Sequence, residues 1–116
     1  GKGGIALNLK NGVGFGSTEF HVLRPIENLS NPYWLYAITI FPKFRIDAKK
    51  IMTGTGGQLR VPINYLSDYM ISCPPIDLQN EFAKFVQQAE QSKQQLQTSL
   101  DSLNATMRAL INENLK

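Results

Sequence analysis

At 116 residues the chain has room for one domain and an extension, and no more. Its residues are 42% hydrophobic and 18% charged, an ordinary globular mixture with rather little charge, and no run of about 18 apolar residues offers a membrane span. The net charge of +3 is unevenly placed: Lys2, Lys10, Arg24, Lys43, Arg45, Lys49 and Lys50 outnumber Glu19, Glu27 and Asp47, whereas residues 77–116 are close to neutral. A basic first half favours an anionic partner, with nucleic acid the leading case.

In chain order, Gly1-Lys2-Gly3-Gly4 leads almost at once into an apolar run, an opening that reads as a cut inside a larger protein; no signal peptide is visible. Ile5–Leu9 has the pattern of a short strand, residues 11–17 that of a glycine-spaced loop, and Glu19–Pro25 that of a second strand. Ser30-Asn31-Pro32 is a helix start, a capping side chain followed by Pro at the first helical position. The helix should run through Phe41, stop at Pro42 and, being apolar on nearly all sides, be largely buried. A second helix is expected over Phe44–Met52, exposing Lys43, Arg45, Lys49 and Lys50. Thr53–Gln58 is a flexible turn, Pro62–Leu66 one helical turn, and Tyr69–Cys73 a third strand ended by Pro74-Pro75. The single Cys73 excludes an internal disulfide and reads as a small buried hydrophobe; a reducing, cytoplasmic setting follows by default.

From Asp77 to Leu115 the pattern is one long helix, about 58 Å at 1.5 Å per residue, too long for a head of about 75 residues to cover. Phe82, Ala89, Leu96, Leu103 and Leu110 recur every seven residues; Val86, Lys93, Leu100, Met107 and Asn114 follow each by four. Those are the d and a positions of a coiled-coil seam, with Lys93 and Asn114 as polar interruptions able to set register. The fold class expected is α+β: a small mixed head of short strands and two or three short helices over residues 1–75, then one long C-terminal coiled-coil helix over 76–116.

Catalytic chemistry is thin. His21 is the single histidine, nothing in the sequence places it beside Cys73, and no ligand spacing suggests a metal or other cofactor. The run Gly12–Thr18 lacks the Lys of a phosphate-binding loop and leads into a strand where a dinucleotide fingerprint needs a helix. A tight turn, or a backbone that lets a partner approach closely, fits it better. The cations at 43, 45, 49 and 50 can neutralise phosphates, and Gln58 and Arg60 carry groups able to read base edges.

Three segments carry a family resemblance: Gly16-Ser17-Thr18-Glu19-Phe20-His21-Val22-Leu23-Arg24-Pro25, Gly54-Thr55-Gly56-Gly57-Gln58, and Ile71-Ser72-Cys73-Pro74-Pro75-Ile76-Asp77-Leu78-Gln79. In this order they resemble the specificity (S) subunits of type I restriction-modification enzymes, with Ile76 standing where the family's Pro-Pro-Leu-x-x-Gln has Leu. The resemblance implies the C-terminal part of a DNA target-recognition domain followed by a spacer helix. It implies double-stranded DNA as ligand, methyltransferase (M) subunits docked on the helix region, and a restriction (R) subunit recruited through them. It also implies a component with no catalytic residues of its own. On charge and loop position, the expected DNA contacts are Lys10, Ser17, Lys43, Arg45, Lys49, Lys50, Thr55, Gln58 and Arg60. A chain with one such helix is expected to form a homodimer, antiparallel if the family geometry persists, through the seam from Phe82, Val86 and Ala89 to Leu96, Leu100, Leu103, Met107 and Leu110. The competing expectation is a helical dimerisation or scaffold module that binds no DNA of its own.

Overall fold

The computed structural model describes residues 3–115; Gly1, Lys2 and Lys116, and so the first half of the Gly1–Gly4 opening, lie outside the described residues. The order is a 3-10 turn at Lys10–Gly12, then α1 (Pro32–Ile40), α2 (Pro42–Lys50), α3 (Ile63–Asp68) and α4 (Ile76–Asn114). The chain forms two compact units, residues 1–82 and 83–116, and the first seven residues of α4 belong to the former.

Among the described residues there is no sheet; the one β-pairing is an antiparallel bridge between Thr53 and Arg60. The expected α+β head is therefore corrected to a helical one. A strand exists only through the ladder it shares with a neighbour, and Ile5–Leu9, Glu19–Pro25 and Tyr69–Cys73 share none. The latter two are tied down one by one instead: His21 reaches the Val61 carbonyl at 2.7 Å, and the Trp34 indole N–H donates to the Ser72 carbonyl at 3.0 Å.

The helix boundaries follow local chemistry. The Asn31 side chain caps α1 by accepting from the Tyr33 N–H at 2.9 Å, and Pro32 takes the first helical position. Pro42 ends α1 and also begins α2. Phe41, before the proline, is forced into extended backbone at ψ 133° and serves as C-cap of one helix and N-cap of the next. That moves α2 two residues upstream of its expected span.

The interior of the first unit is small. The Phe44, Tyr65 and Tyr69 rings cluster, the closest pair edge to face at 4.9 Å. Trp34 meets Phe82 edge to face at 5.5 Å. Burial pushes the Tyr65 phenol above its ordinary pKa, with Tyr69 adding to the rise. Ala48 is the buried apolar residue of this unit among those described, and Gln79 is wholly buried. The expectation of a largely buried α1 is corrected: Pro32–Thr39 are half-buried and Ile40 is exposed, because the nine-residue α2 packed against it covers only part of an all-round apolar surface. Cys73 is exposed too, not buried, its thiol lying 3.6 Å from the Leu29 carbonyl. In the second unit, every residue from Gln87 to Leu115 is exposed.

Candidate nucleic-acid interface

Residues 53–60 form a small hairpin. Thr53 and Arg60 exchange both backbone hydrogen bonds, at 2.9 and 2.8 Å, and the Gln58 N–H closes a four-residue turn onto the Thr55 carbonyl at 3.2 Å. Gly56 and Gly57, at the turn's centre, have φ of 65° and 81°, the paired left-handed conformation that fits a tight hairpin and favours glycine. Gly54 has φ 138°, and a Cβ there would stand 2.3 Å from the Gln58 carbonyl oxygen. Gly54→Ala should therefore open the turn at a cost of about 1–2 kcal/mol. The expected sign is loss of amide-exchange protection at Thr53 and Arg60; retained protection at both would refute the account.

The glycine-spaced loop is joined to this hairpin through the residues after it. The Ser17 hydroxyl accepts from the Glu19 N–H at 3.2 Å, and the Phe20 N–H bonds the Ser17 carbonyl, so a turn sets the direction of Glu19. The Glu19 carboxylate pairs with the Arg60 guanidinium. Two residues on, His21 Nε2 bonds the Val61 carbonyl. A carbonyl only accepts, so Nε2 carries the proton. Two segments about 40 residues apart are thus fastened at adjacent points.

The basic face lies on α2, directly before the hairpin. Lys43 and Lys50 both pair with Asp47, at 2.6 and 3.4 Å, one turn apart on the helix. The hydrogen bond from Lys43, then that from Lys50, holds the Asp47 carboxyl below its ordinary range; Asp47 in turn raises Lys43. Asp47 takes up part of the charge that the sequence assigned to this face, leaving a helix that is still net positive. Arg45, Lys49 and Val61 line one shallow, largely apolar depression of about 160 Å³ together with Gly3, Thr39, Phe44, Ala48 and Met52. The two strongly basic residues therefore sit beside the segment that follows the hairpin.

Of the expected DNA contacts, Arg45 and Lys49 are brought together beside Val61; Arg60, the residue before Val61, closes the hairpin, with Thr55 and Gln58 at the ends of the turn between Thr53 and Arg60. Lys43 and Lys50 share the helix but are engaged by Asp47. Ser17, itself exposed, uses its hydroxyl to hold the Glu19 N–H. Lys10 opens the 3-10 turn, and no hydrogen bond or ion pair joins it to the others. The sequence reading missed Glu19, whose partner is 41 residues away and carries no local signature. No group of three or more His, Cys, Asp and Glu side chains gathers as a metal site among the described residues, and no helix among them is long and apolar enough to cross a membrane.

On α4, Leu96, Leu100, Leu103, Met107 and Leu110 are exposed, and Ala89 with them. Val86 is half-buried and Phe82 is engaged by Trp34. Ile111, exposed beside the seam, is a further apolar residue that the heptad reading passed over.

Residues 2–104 match the family model of the type I restriction modification DNA specificity domain. The chain is similar to the specificity subunit of the type I restriction enzyme EcoAI of Escherichia coli, 34% identical over 95% of this chain and 19% of that protein. It is similar also to the EcoEI specificity subunit of the same organism, 35% identical over 92% of this chain and 19% of that protein. It thus spans about a fifth of the length of these relatives. No solved structure matches it. The domain match over most of the chain and the two relatives agree with the three resembling segments: the chain belongs to the type I restriction-modification DNA specificity domain family.

Proposed function

We propose that this chain is a DNA-reading head joined to a spacer helix within a type I specificity subunit. It is a specificity component and not an enzyme, consistent with the role its relatives' names state. The observation that carries the DNA reading is the joining of the basic α2 face to the glycine hairpin through Val61 and Arg60. Cations on a helix anchor phosphates, and a hairpin with a pinned side chain meets base edges. The exposed seam of α4 acts as the spacer, as the docking surface for methyltransferase subunits and, through them, for the restriction subunit. In the isolated chain the same seam pairs with a second copy.

Binding to a fluorescent duplex, titrated across a salt series, tests the head. Affinity is expected to fall linearly on a log–log plot, and Lys49→Glu to weaken binding about tenfold and reduce the slope by at least about one. An affinity independent of salt, or no binding by the parent chain, would overturn the DNA reading.

A further inference from the structure

Arg60 is pinned from two directions. Its backbone exchanges both hydrogen bonds with Thr53, in a register that Gly54 makes possible. Its guanidinium is paired through Nη2 with Glu19, whose own backbone N–H is fixed by Ser17. The next residue, Val61, is held by His21. Yet the pair is accessible, with side chains 52% and 46% exposed. An ion pair this exposed adds little to stability, so stability alone is a weak reason for the guanidinium to be paired at a residue whose backbone and successor are also fastened.

A guanidinium has five N–H donors in a planar fork. With Nη2 engaged by a carboxylate, a fork edge is left to present two donors side by side, the geometry that matches O6 and N7 of guanine in the major groove. The carboxylate also decides between the two possible acceptors. A phosphate approaching Arg60 would come close to the negative charge of Glu19. A guanine edge is uncharged and offers only acceptors, so it meets no such repulsion. Holding the fork in place beforehand also reduces the rotamer freedom lost on contact. We infer that Arg60, buttressed by Glu19, is a specificity-determining residue that reads a guanine in duplex DNA. Lys49 and the rest of the α2 face supply sequence-independent affinity. This rests on the DNA reading proposed above and adds to it which side chain discriminates, and for what base.

The test is selection of binding sites from a random-sequence duplex library with the 116-residue chain, run beside Arg60→Lys, Glu19→Gln and Lys49→Glu, with thermal midpoints checking that each is folded. The parent should enrich a motif with guanine fixed at one position. Arg60→Lys keeps the charge and loses the fork; it should lose that guanine, with discrimination there falling at least about tenfold, while affinity for unselected duplex changes less than about threefold. Glu19→Gln should weaken the same preference while raising affinity for unselected duplex. Lys49→Glu should weaken binding to all sequences and leave the motif unchanged. An identical motif from the parent and Arg60→Lys would overturn the inference. So would Glu19→Gln raising affinity with the motif equally sharp, which would make Glu19 a mere neutraliser. A parent that binds duplex without selecting a motif removes this inference and leaves the DNA reading standing; a parent that binds no duplex removes both.

Discussion

Replacing Gln79 with Ala is expected to destabilise the first unit by about 3 kcal/mol, although it removes neither a charge nor an apolar side chain. Gln79 is wholly buried at 0% exposure. Its Oε1 accepts from the Asn31 N–H at 2.9 Å; its Nε2 donates to the Pro74 carbonyl at 2.7 Å and to the Leu29 carbonyl at 3.0 Å. One amide thus ties together the entry to α1, the turn before it and the Pro-Pro step into α4. Neighbouring Asn80 adds a second tie, accepting from the Asn31 side chain at 2.9 Å. Truncation strips the Asn31 N–H and the Pro74 carbonyl of their partner and leaves the Leu29 carbonyl with only the weak Cys73 thiol donor; each buried group so stranded costs about 1–3 kcal/mol unless water enters the space. The sum is moderated because Leu29 and Pro74 lie near the surface, where partial rehydration is easy. Gln79→Met separates the contributions, since it fills the volume and still lacks the hydrogen bonds; it should fall within about 1 kcal/mol of Ala. Gln79→Glu keeps an acceptor for Asn31 but aims a carboxylate at two carbonyls, and at neutral pH should cost at least as much as Ala. Urea unfolding followed by Trp34 fluorescence reads the event where it happens, because Trp34 is the one tryptophan and lies in α1 against Phe82. A loss under about 1 kcal/mol for both Ala and Met would show that the amide is not the tie described.

Local signals of the sequence were legible, and signals that depend on distant partners were not. The asparagine cap, Pro32, Pro42 and the Pro74-Pro75 entry all act within a few residues, and the structure places helix ends at each of them. The long helix was readable because its heptad period persists through a glutamine-rich stretch. The expected strands failed for the converse reason. Apolar alternation in Glu19–Arg24 or Tyr69–Cys73 states a preference for extended backbone, but a sheet needs a second segment alongside, and composition does not say whether one is present. Gln79 was noticed in its position after the two prolines, yet its partners lie 48 and 50 residues earlier. Glu19 entered the sequence reading as one acidic residue at the start of an expected strand; its partner, Arg60, becomes visible once the hairpin brings residues 53 and 60 together. The basic cluster falls on α2 as expected; Asp47 enters the charge count of the sequence, but that it pairs with Lys43 and Lys50 together becomes visible only on the folded helix.

A single Asp at position 103 is expected to abolish self-association of the isolated chain. Leu96, Leu100, Leu103, Met107 and Leu110 are 51–71% exposed, and nothing in residues 87–115 is buried. Fully burying side chains of this kind is worth about 1.5–3 kcal/mol each, set against an association cost of about 4–15 kcal/mol, so the pair should form in the micromolar range and not far below it. Orientation follows from the polar seam residues. In a parallel pair the a positions face their own copies, which sets Lys93 against Lys93 with like charges in the seam. In an antiparallel pair a faces d: Leu100 meets Leu103 of the second copy on either side of the twofold axis, Leu96 meets Met107, and Lys93 is moved opposite Leu110. Leu103→Asp then places two carboxylates flanking that axis, each against a leucine, where an unpaired charge is most costly. Light scattering across a concentration series should give a dimer for the parent chain and a monomer for the variant throughout, with the helical circular dichroism of the variant reduced as well, since an unpartnered helix frays. In a Cys73→Ser background, Ala89→Cys alone should form no intermolecular disulfide, whereas Ala89→Cys combined with Asn114→Cys should, because those two positions face each other only when the helices run in opposite directions. Ready crosslinking of the single variant would make the pair parallel, and a parent chain that stays monomeric at high concentration would show that the seam does not bind a second copy.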